Sequence, residues 1–276
     1  MGITNDYFLF NDEVVSTKSF NEEELLAGKS LYEVIKVKEK VPLFLEKHLE
    51  RLHNSANITD LQLWISNEDI ERRINKLIQV NKAGEGSAKI ILNFQKKQLL
   101  AFFEEKSFPQ AIQYEEGIYV CLYHKERINP NAKVLNMEFR KDLDQFIKSK
   151  NIFEAILVDK NGYITEGSKS NVFMLKGEKL ITSPLKTVLP GTTRSVVLEI
   201  CKDLNIELVE ENLHYNDIDK IEGMFISSTP FDILPVKRIE DIYLNSSENH
   251  IIKSIMNEYK NIVNDYININ LEKYQK

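Results

Sequence analysis

The chain has 276 residues, a length that fits one large or two modest domains. Of these residues 42% are hydrophobic, which is enough for a substantial core. The formal net charge is −6 and charges of both signs are interspersed, which argues against a basic surface that binds nucleic acid. Polar residues interrupt the N-terminal segment, and no apolar run is long enough to span a bilayer, so neither a signal peptide nor a membrane segment is expected.

The two cysteines, Cys121 and Cys201, both lie in apolar runs. Buried thiols in a chain of this length favour a reducing compartment over a disulfide framework, so we expect a cytoplasmic protein. The five histidines are scattered without the spacing of metal ligands, and no metal site is predicted.

The first half of the chain alternates between strand and helix patterns. Strands are predicted at 7–10, 13–16, 31–37, 88–94 and 99–103. Leu45, Leu49, Leu52 and Ala56 recur at helical spacing and predict one amphipathic helix. A second helix is predicted from Ser66, which begins an S-x-x-D motif, to Asn81.

A break in the pattern near Pro109 and Gly117 predicts a domain boundary. We therefore expect a small N-terminal domain at 1–108, a linker at 109–117 and a larger domain at 118–276. In the second part, strands are predicted at 118–123, 179–182, 206–209, 224–227 and 233–236, with three more between 155 and 175. A helix is predicted with Lys133 in its first turn or just before it, and with Met137, Leu143 and Phe146 on its inner side, and a long helix is predicted at 249–274.

Four polar features follow one another in this second part. Glu166 lies between apolar strands in the stretch EGSKSN (166–171), and such a carboxylate is costly to bury without a cationic partner. Lys133 precedes it, LPGTTR (189–194) leads into a helix as an anion-binding turn would, and a hydroxyl cluster at 227–229 ends a strand. A lysine, a buried acid and a hydroxyl-rich phosphate cradle together suit pyridoxal 5'-phosphate.

These motifs, in this order, resemble the class IV aminotransferases, which are the fold-type IV pyridoxal-phosphate enzymes. SLYEVIKV (30–37) and FLEKHLERLHNSANI (44–58) are similar to the opening blocks of that family. The family includes branched-chain and D-amino acid aminotransferases and aminodeoxychorismate lyase. The resemblance implies an α+β fold, with a small N-terminal α/β domain and a larger C-terminal domain that has a mixed barrel-like sheet. It also implies a homodimer.

The resemblance assigns roles to individual residues. Lys133 would form the covalent bond to the cofactor and act as the catalytic base, and Glu166 would face the pyridine nitrogen. The other cofactor-binding candidates share a polar side chain within a matched motif: Arg51, Thr192, Thr193, Thr229, Ser228 and Asn171.

The chain also departs from the family pattern. The aromatic residue and the Asp expected before the LYEVIK block are absent from residues 25–30, the turn at 95–98 has no Arg, and Glu138 replaces a Tyr. Three interpretations therefore stay open. The first is an aminotransferase that moves an amino group between a branched-chain or D-amino acid and a 2-oxo acid. The second is an aminodeoxychorismate lyase that forms 4-aminobenzoate and pyruvate, and the third is a non-catalytic homologue that binds the cofactor.

Overall fold

The protein was analysed as a computed structural model that describes residues 2–21, 28–105 and 108–274. Two places named in the sequence analysis lie outside these ranges. They are residues 25–27, in the segment that differs from the family pattern, and Ser107, near the predicted domain boundary. The described chain forms two compact units. The first contains the residues up to Glu105 together with 132–135 and 262–274, and the second contains 108–131 and 136–261.

The first unit is built on an antiparallel sheet, which in the described residues has six strands in the order β2-β1-β6-β5-β3-β4. The strands are β1 (Ile3–Phe10), β2 (Glu13–Ser16), β3 (Ser30–Lys38), β4 (Val41–Pro42), β5 (Glu85–Asn93) and β6 (Gln98–Glu104). Glu39 and Lys40 both have positive φ, as a two-residue hairpin turn requires, and they join β3 to β4.

Successive side chains of β3 point to opposite faces of this sheet. Leu31 and Ile35 pack into a core with the helices α1 (Leu45–Ile58) and α2 (Asn67–Asn81). Tyr32 packs on the other face, in a cluster that includes Ile91 and Phe102. The predicted start of α2 is confirmed, because the N–H of Asp69 donates to the Ser66 hydroxyl at 3.2 Å.

The second unit is built on a mixed sheet that closes on itself. Its described strands are β7 (Ile118–His124), β8 (Glu154–Val158), β9 (Ile164–Gly167), β10 (Asn171–Lys176), β11 (Lys179–Thr182), β12 (Leu208–Glu210), β13 (Gly223–Ser228), β14 (Asp232–Ile239) and β15 (Ile242–Tyr243). Six of the described strands form a ring, β10-β13-β14-β7-β8-β9, because β9 pairs back onto β10. β7 runs parallel to β8 and β14, whereas the other pairs in the ring are antiparallel.

Four further helices complete the described chain: α3 (Ala111–Glu116), α4 (Met137–Lys150), α5 (Thr192–Asp203) and α6 (His250–Tyr274). Short 3-10 helices cover Thr17–Ser19, Leu185–Thr187 and Tyr215–Lys220. The end of α6 belongs to the first unit, where the Tyr266 hydroxyl donates to Glu46 and the Tyr274 hydroxyl donates to Glu71, both at 2.7 Å. Among the described residues, no helix combines the length and the apolar character needed to cross a lipid bilayer.

The α+β class and the barrel-like mixed sheet predicted from the sequence are confirmed. The grouping of the chain differs from the predicted contiguous ranges, because 132–135 and the end of α6 pack with the first unit. Most of the predicted linker forms α3, which a capping box between Gln110 and Gln113 stabilises. The prediction for Met137 is wrong: it begins α4 with 39% of its surface exposed, whereas Leu143 is fully buried as predicted.

Candidate active site

The backbone of Lys133 is held on both sides within the first unit. Its N–H donates to the Ser55 hydroxyl at 3.0 Å, and its carbonyl accepts the N–H of Tyr32 at 3.2 Å. The next residue, Val134, forms a β-bridge with Leu31, so this segment extends the sheet beside β3. The Lys133 ammonium lies 4.7 Å from the centre of the Tyr32 ring. The backbone of Lys133 is therefore fixed within the first unit, partly by Ser55, which the sequence analysis did not identify.

A buried charge cluster in the same unit fixes Arg51. The Arg51 Nε donates to Glu33 Oε1 at 2.9 Å and its Nη2 donates to Glu33 Oε2 at 2.6 Å. His48 Nδ1 lies 2.8 Å from Glu33 Oε2, and because an ionised carboxylate only accepts, this nitrogen carries the proton. All three side chains are nearly inaccessible to solvent. Two parallel bonds to one carboxylate hold the guanidinium in a single orientation.

The ionisation of this cluster follows from its burial and its partners. Burial raises the pKa of Glu33, but the charge and hydrogen bonds of Arg51 and His48 outweigh this effect and lower the pKa to about 2. Burial lowers the pKa of His48 below its usual 6.5, and the bond to Glu33 only partly offsets this. Near pH 7 the cluster therefore holds an ionised Glu33, a neutral His48 and a charged Arg51.

Glu166 lies inside the sheet of the second unit. Glu166 and Gly167 belong to β9, so the predicted position of Glu166 between strands is wrong. Only 2% of Glu166 is exposed, its Oε2 accepts the N–H of Leu189 at 3.1 Å, and its Oε1 lies 2.9 Å from Arg127 Nε. The positive charge of Arg127 offsets the cost of burying the carboxylate. Arg127 is thus the cation that the sequence analysis required but did not identify.

A second buried carboxylate, Glu154, organises the turn between β9 and β10. It accepts the backbone N–H of Ser168 at 3.1 Å and of Lys169 at 3.2 Å, and it also accepts the hydroxyls of Ser168 and Ser170. Arg127 closes the turn from another side, because its Nη2 donates to the carbonyl of Ser168 at 2.7 Å. Glu154 thereby fixes the stretch that follows Glu166. Its sequence signal, a charged residue inside an apolar run, is the signal that marks Glu166.

The start of α5 brings the predicted anion-binding groups of the second unit together. Thr192 is the first residue of the helix, and Gly191 is its N-cap. Because glycine has no side chain, the N-cap residue gives the first backbone N–H groups of the helix no side-chain acceptor. The hydroxyls of Thr192 and Thr229 lie 3.2 Å apart. Asn171 approaches so closely that a Cβ on Gly191 would lie 1.9 Å from its Oδ1, and its Nδ2 donates to the carbonyl of Leu189 at 3.0 Å. Helix amides together with paired hydroxyls are typical of a phosphate site.

The other predicted residues near this helix have structural contacts. The Ser228 hydroxyl donates to the Lys169 carbonyl at 2.7 Å, so it ties β13 to the turn after β9. Thr193 is buried and hydrogen-bonded to Tyr259, whose pKa is raised mainly by burial. Arg194 forms an ion pair with Glu210 at 3.0 Å.

The chemistry of these groups fits pyridoxal phosphate. The first unit holds Lys133, an amine that can react with a carbonyl, and the oriented guanidinium of Arg51. The second unit holds Glu166, an acid that is paired with Arg127 and suits a ring nitrogen, and hydroxyls with helix amides that can receive a phosphate.

Curated relatives match most of the chain. A putative branched-chain-amino-acid aminotransferase of Methanocaldococcus jannaschii is 26% identical over 92% of this chain and 93% of its own length. D-alanine aminotransferase of Bacillus licheniformis is 25% identical over 77% of this chain and 80% of its own length. Aminodeoxychorismate lyase of Bacillus subtilis is 24% identical, over 88% of each chain.

Solved structures share the fold. The branched-chain aminotransferase of Escherichia coli has a TM-score of 0.82 at 23% identity, covering 94% of this chain and 95% of its own. The branched-chain aminotransferase of T.th., solved with pyridoxamine 5'-phosphate, has the same TM-score at 19% identity, covering 95% of each chain. The predicted fold type IV is therefore confirmed. The family model of class IV aminotransferases matches residues 30–239. The chain thus belongs to the class IV aminotransferases, a family of pyridoxal-phosphate-dependent enzymes.

Proposed function

We propose that this protein is an aminotransferase that uses pyridoxal 5'-phosphate to move an amino group between an amino acid, of the branched-chain or D-amino acid type, and a 2-oxo acid. The observation that carries the proposal is the buried ion pair of Glu166 and Arg127. A carboxylate kept ionised in this way stabilises a protonated ring nitrogen, and this is the electronic state that transamination requires.

The proposed roles follow from the contacts of each side chain. Bound pyridoxal phosphate would supply an electron sink for the pair released when a bond to the substrate Cα breaks. Lys133 would remove and return the proton at Cα, and its backbone bonds to Ser55 and Tyr32 would limit the positions that its amine can reach. Glu166 would accept a hydrogen bond from the ring nitrogen while Arg127 keeps the acid charged.

Several groups would bind the phosphate. Arg51 would use its planar guanidinium, which Glu33 holds in place. The first amides of α5 and the hydroxyls of Thr192, Thr193 and Thr229 would donate the remaining hydrogen bonds. Ser228 and Asn171 would line the same site, and their hydrogen bonds to backbone carbonyls would hold the neighbouring loops around it.

Aminodeoxychorismate lyase is the second candidate, and the similarity to the Bacillus subtilis enzyme supports it. The lyase reaction needs the same lysine and the same acid, so these two residues do not separate the candidates. The short turn between β5 and β6 carries no Arg, although the D-amino acid aminotransferases and the lyases of the family both have an Arg-containing loop at this place, so this departure does not separate the two reactions. A non-catalytic cofactor-binding homologue is a minor candidate, and the presence of both Lys133 and Glu166 argues against it.

Borohydride reduction followed by peptide mass spectrometry tests the proposed role of Lys133. We expect the purified protein to be yellow and the reduced cofactor to be attached to Lys133. Lys133→Ala should remove both the attachment and the turnover, while Lys97→Ala, an exposed lysine in the β5–β6 turn, should change neither. A Lys133→Ala protein with full turnover would refute the assignment.

A pair of assays separates the candidate reactions. Amino-group transfer to 2-oxoglutarate from a panel of L- and D-amino acids supports an aminotransferase. Pyruvate release from aminodeoxychorismate without a 2-oxo acid supports the lyase, and a yellow protein inactive in both assays supports the third candidate. The homodimer and the cytoplasmic location stay predictions, which sedimentation and cell fractionation would test.

A further inference from the structure

A buried lysine on β5 lies outside the predicted cofactor residues. Lys89 is 5% exposed, and its ammonium lies 2.9 Å from Glu104 Oε1 on the neighbouring strand β6. The surrounding side chains on this face of the sheet include Ile91 and Phe102, and the ammonium is 6.0 Å from the centre of the Phe102 ring. A charged pair is therefore buried beside aromatic and aliphatic side chains of this face.

Tyr32 connects this pair to Lys133. The Lys89 ammonium is 5.2 Å from the centre of the Tyr32 ring, and the Lys133 ammonium is 4.7 Å from the same point. The separation of the two ammonium groups therefore cannot exceed the sum of these distances. Strand pairing fixes the arrangement, because Val34 pairs with Lys89 and Tyr32 pairs with Ile91, which makes Tyr32 and Lys89 diagonal neighbours on one face.

Stability alone does not explain this arrangement. Replacing a buried ion pair by well-packed apolar side chains is often neutral or stabilising, and the neighbours Ile91 and Phe102 show that this face accepts apolar residues. Glu104 neutralises Lys89, but the ammonium of Lys133 beside the same ring leaves the three side chains with a net charge of +1, and a low-dielectric environment strengthens its field. Such a place favours an anionic ligand.

We propose that Lys89 binds the carboxylate of the substrate while Lys133 acts on its Cα. This inference rests on the proposed function and names a group for which the family motifs gave no candidate, since the turn at 95–98 has no Arg. Glu104 stabilises the charged form of Lys89 when substrate is absent. An ammonium has three N–H donors, so Lys89 can bind a carboxylate and keep its bond to Glu104.

The test compares ligands with and without a carboxylate. The half-reaction is measured for the amino acid that the wild-type protein uses best and for the primary amine obtained by removing its carboxyl group. In Lys89→Gln we expect the KM for the amino acid to rise about 10- to 100-fold, because a charge-assisted hydrogen bond is lost, while the constants for the amine stay unchanged. Lys89→Arg, which keeps the charge, should recover most of the affinity, and Lys97→Gln is the matched control in the same hairpin.

A binding measurement separates this inference from the proposed function. The Kd of 4-methylpentanoate, a carboxylate without an amino group, is measured by calorimetry on the holoprotein and should rise in Lys89→Gln whether or not turnover is found. Lys89→Gln/Glu104→Gln removes both charges together and should show the same loss if the single variant folds poorly. An unchanged Kd in either variant, no binding to the wild type, or equal losses for the amino acid and the amine would overturn the proposal.

Discussion

The substitution Glu33→Gln tests the charge cluster that holds Arg51. Glutamine has nearly the same shape as glutamate, so the change removes the charge while packing around β3 is retained. It leaves the guanidinium of Arg51 buried beside a neutral group, and Arg51 is only 6% exposed. We therefore expect a loss of stability in the first unit and a loss of the fixed orientation of Arg51.

The size of the loss follows from the pKa of Glu33. The pKa falls from an ordinary 4.5 to about 2 in the folded protein, and this difference corresponds to about 3 kcal/mol of stability at neutral pH. Leaving a buried partner charge uncompensated typically costs about 3–5 kcal/mol, which agrees with that figure. We expect Glu33→Gln to lower the free energy of unfolding by about 3 kcal/mol near pH 7.

The pH dependence has a defined sign. Because the folded pKa of Glu33 is depressed, its contribution is fully present above pH 4.5 and is lost as the pH falls from 4.5 towards about 2. The wild-type advantage over Glu33→Gln should therefore shrink across this range. His48 adds a loss that begins below pH 6.5, since its lowered pKa means that the unfolded chain takes up the proton first.

Urea unfolding followed by the fluorescence of Trp64 measures this effect. Trp64 is the single tryptophan of the sequence, and it packs against the core of the first unit with its ring 4.9 Å from Phe94. Glu39→Gln, an exposed position in the β3–β4 turn, is the control and should leave the midpoint unchanged. A Glu33→Gln protein as stable as the wild type near pH 7, or a difference that does not shrink below pH 4.5, would contradict the reasoning.

Three further predictions concern other positions. Glu154→Gln should lower the stability of the second unit by about 1–3 kcal/mol, because the donors of the turn between β9 and β10 lose a charged acceptor; differential scanning fluorimetry checks this. Ser55→Ala removes the hydroxyl that accepts the N–H of Lys133 and should slow the first half-reaction, whereas Ser55→Thr keeps a hydroxyl and should partly restore the rate. Equal rates in the wild type and both variants would contradict the role of Ser55 in positioning Lys133. Burial raises the pKa of the Cys201 thiol to about 12 and also raises the pKa of Cys121, which is partly exposed. A thiol reagent should therefore label Cys121 slowly in native protein and Cys201 only after denaturation, and rapid native labelling of Cys201 would refute this.

The sequence predicts most elements of the fold because their signals are local. The apolar spacing in α1 and the S-x-x-D start of α2 report directly on one helix face and one helix end. The bounds predicted for α6 lie within one residue of the observed ones for the same reason. The prediction for Met137 is wrong because periodicity continues up to the end of a helix, where a residue has fewer neighbours to cover it.

The supporting residues of the candidate site depend on pairing between distant segments. Nothing in the sequence marks Arg127 among 36 basic residues as the partner of Glu166. The β-bridge between Val134 and Leu31 cannot be predicted from the sequence either, because a single pair of residues produces no periodic pattern. Glu154 is different, since a charged residue in an apolar run is a visible signal that could have identified it.

The end of α6 has a consequence for synthesis on the ribosome. The contacts of Tyr266 with Glu46 and of Tyr274 with Glu71 span 220 and 203 positions of the chain, so they form only when almost all of it has been translated. The N-terminal unit begins first but is completed last, while the intervening unit can close earlier. A nascent chain stalled before Tyr266 therefore exposes the surface that α6 normally covers, and this is the interval in which a chaperone would have a reason to bind.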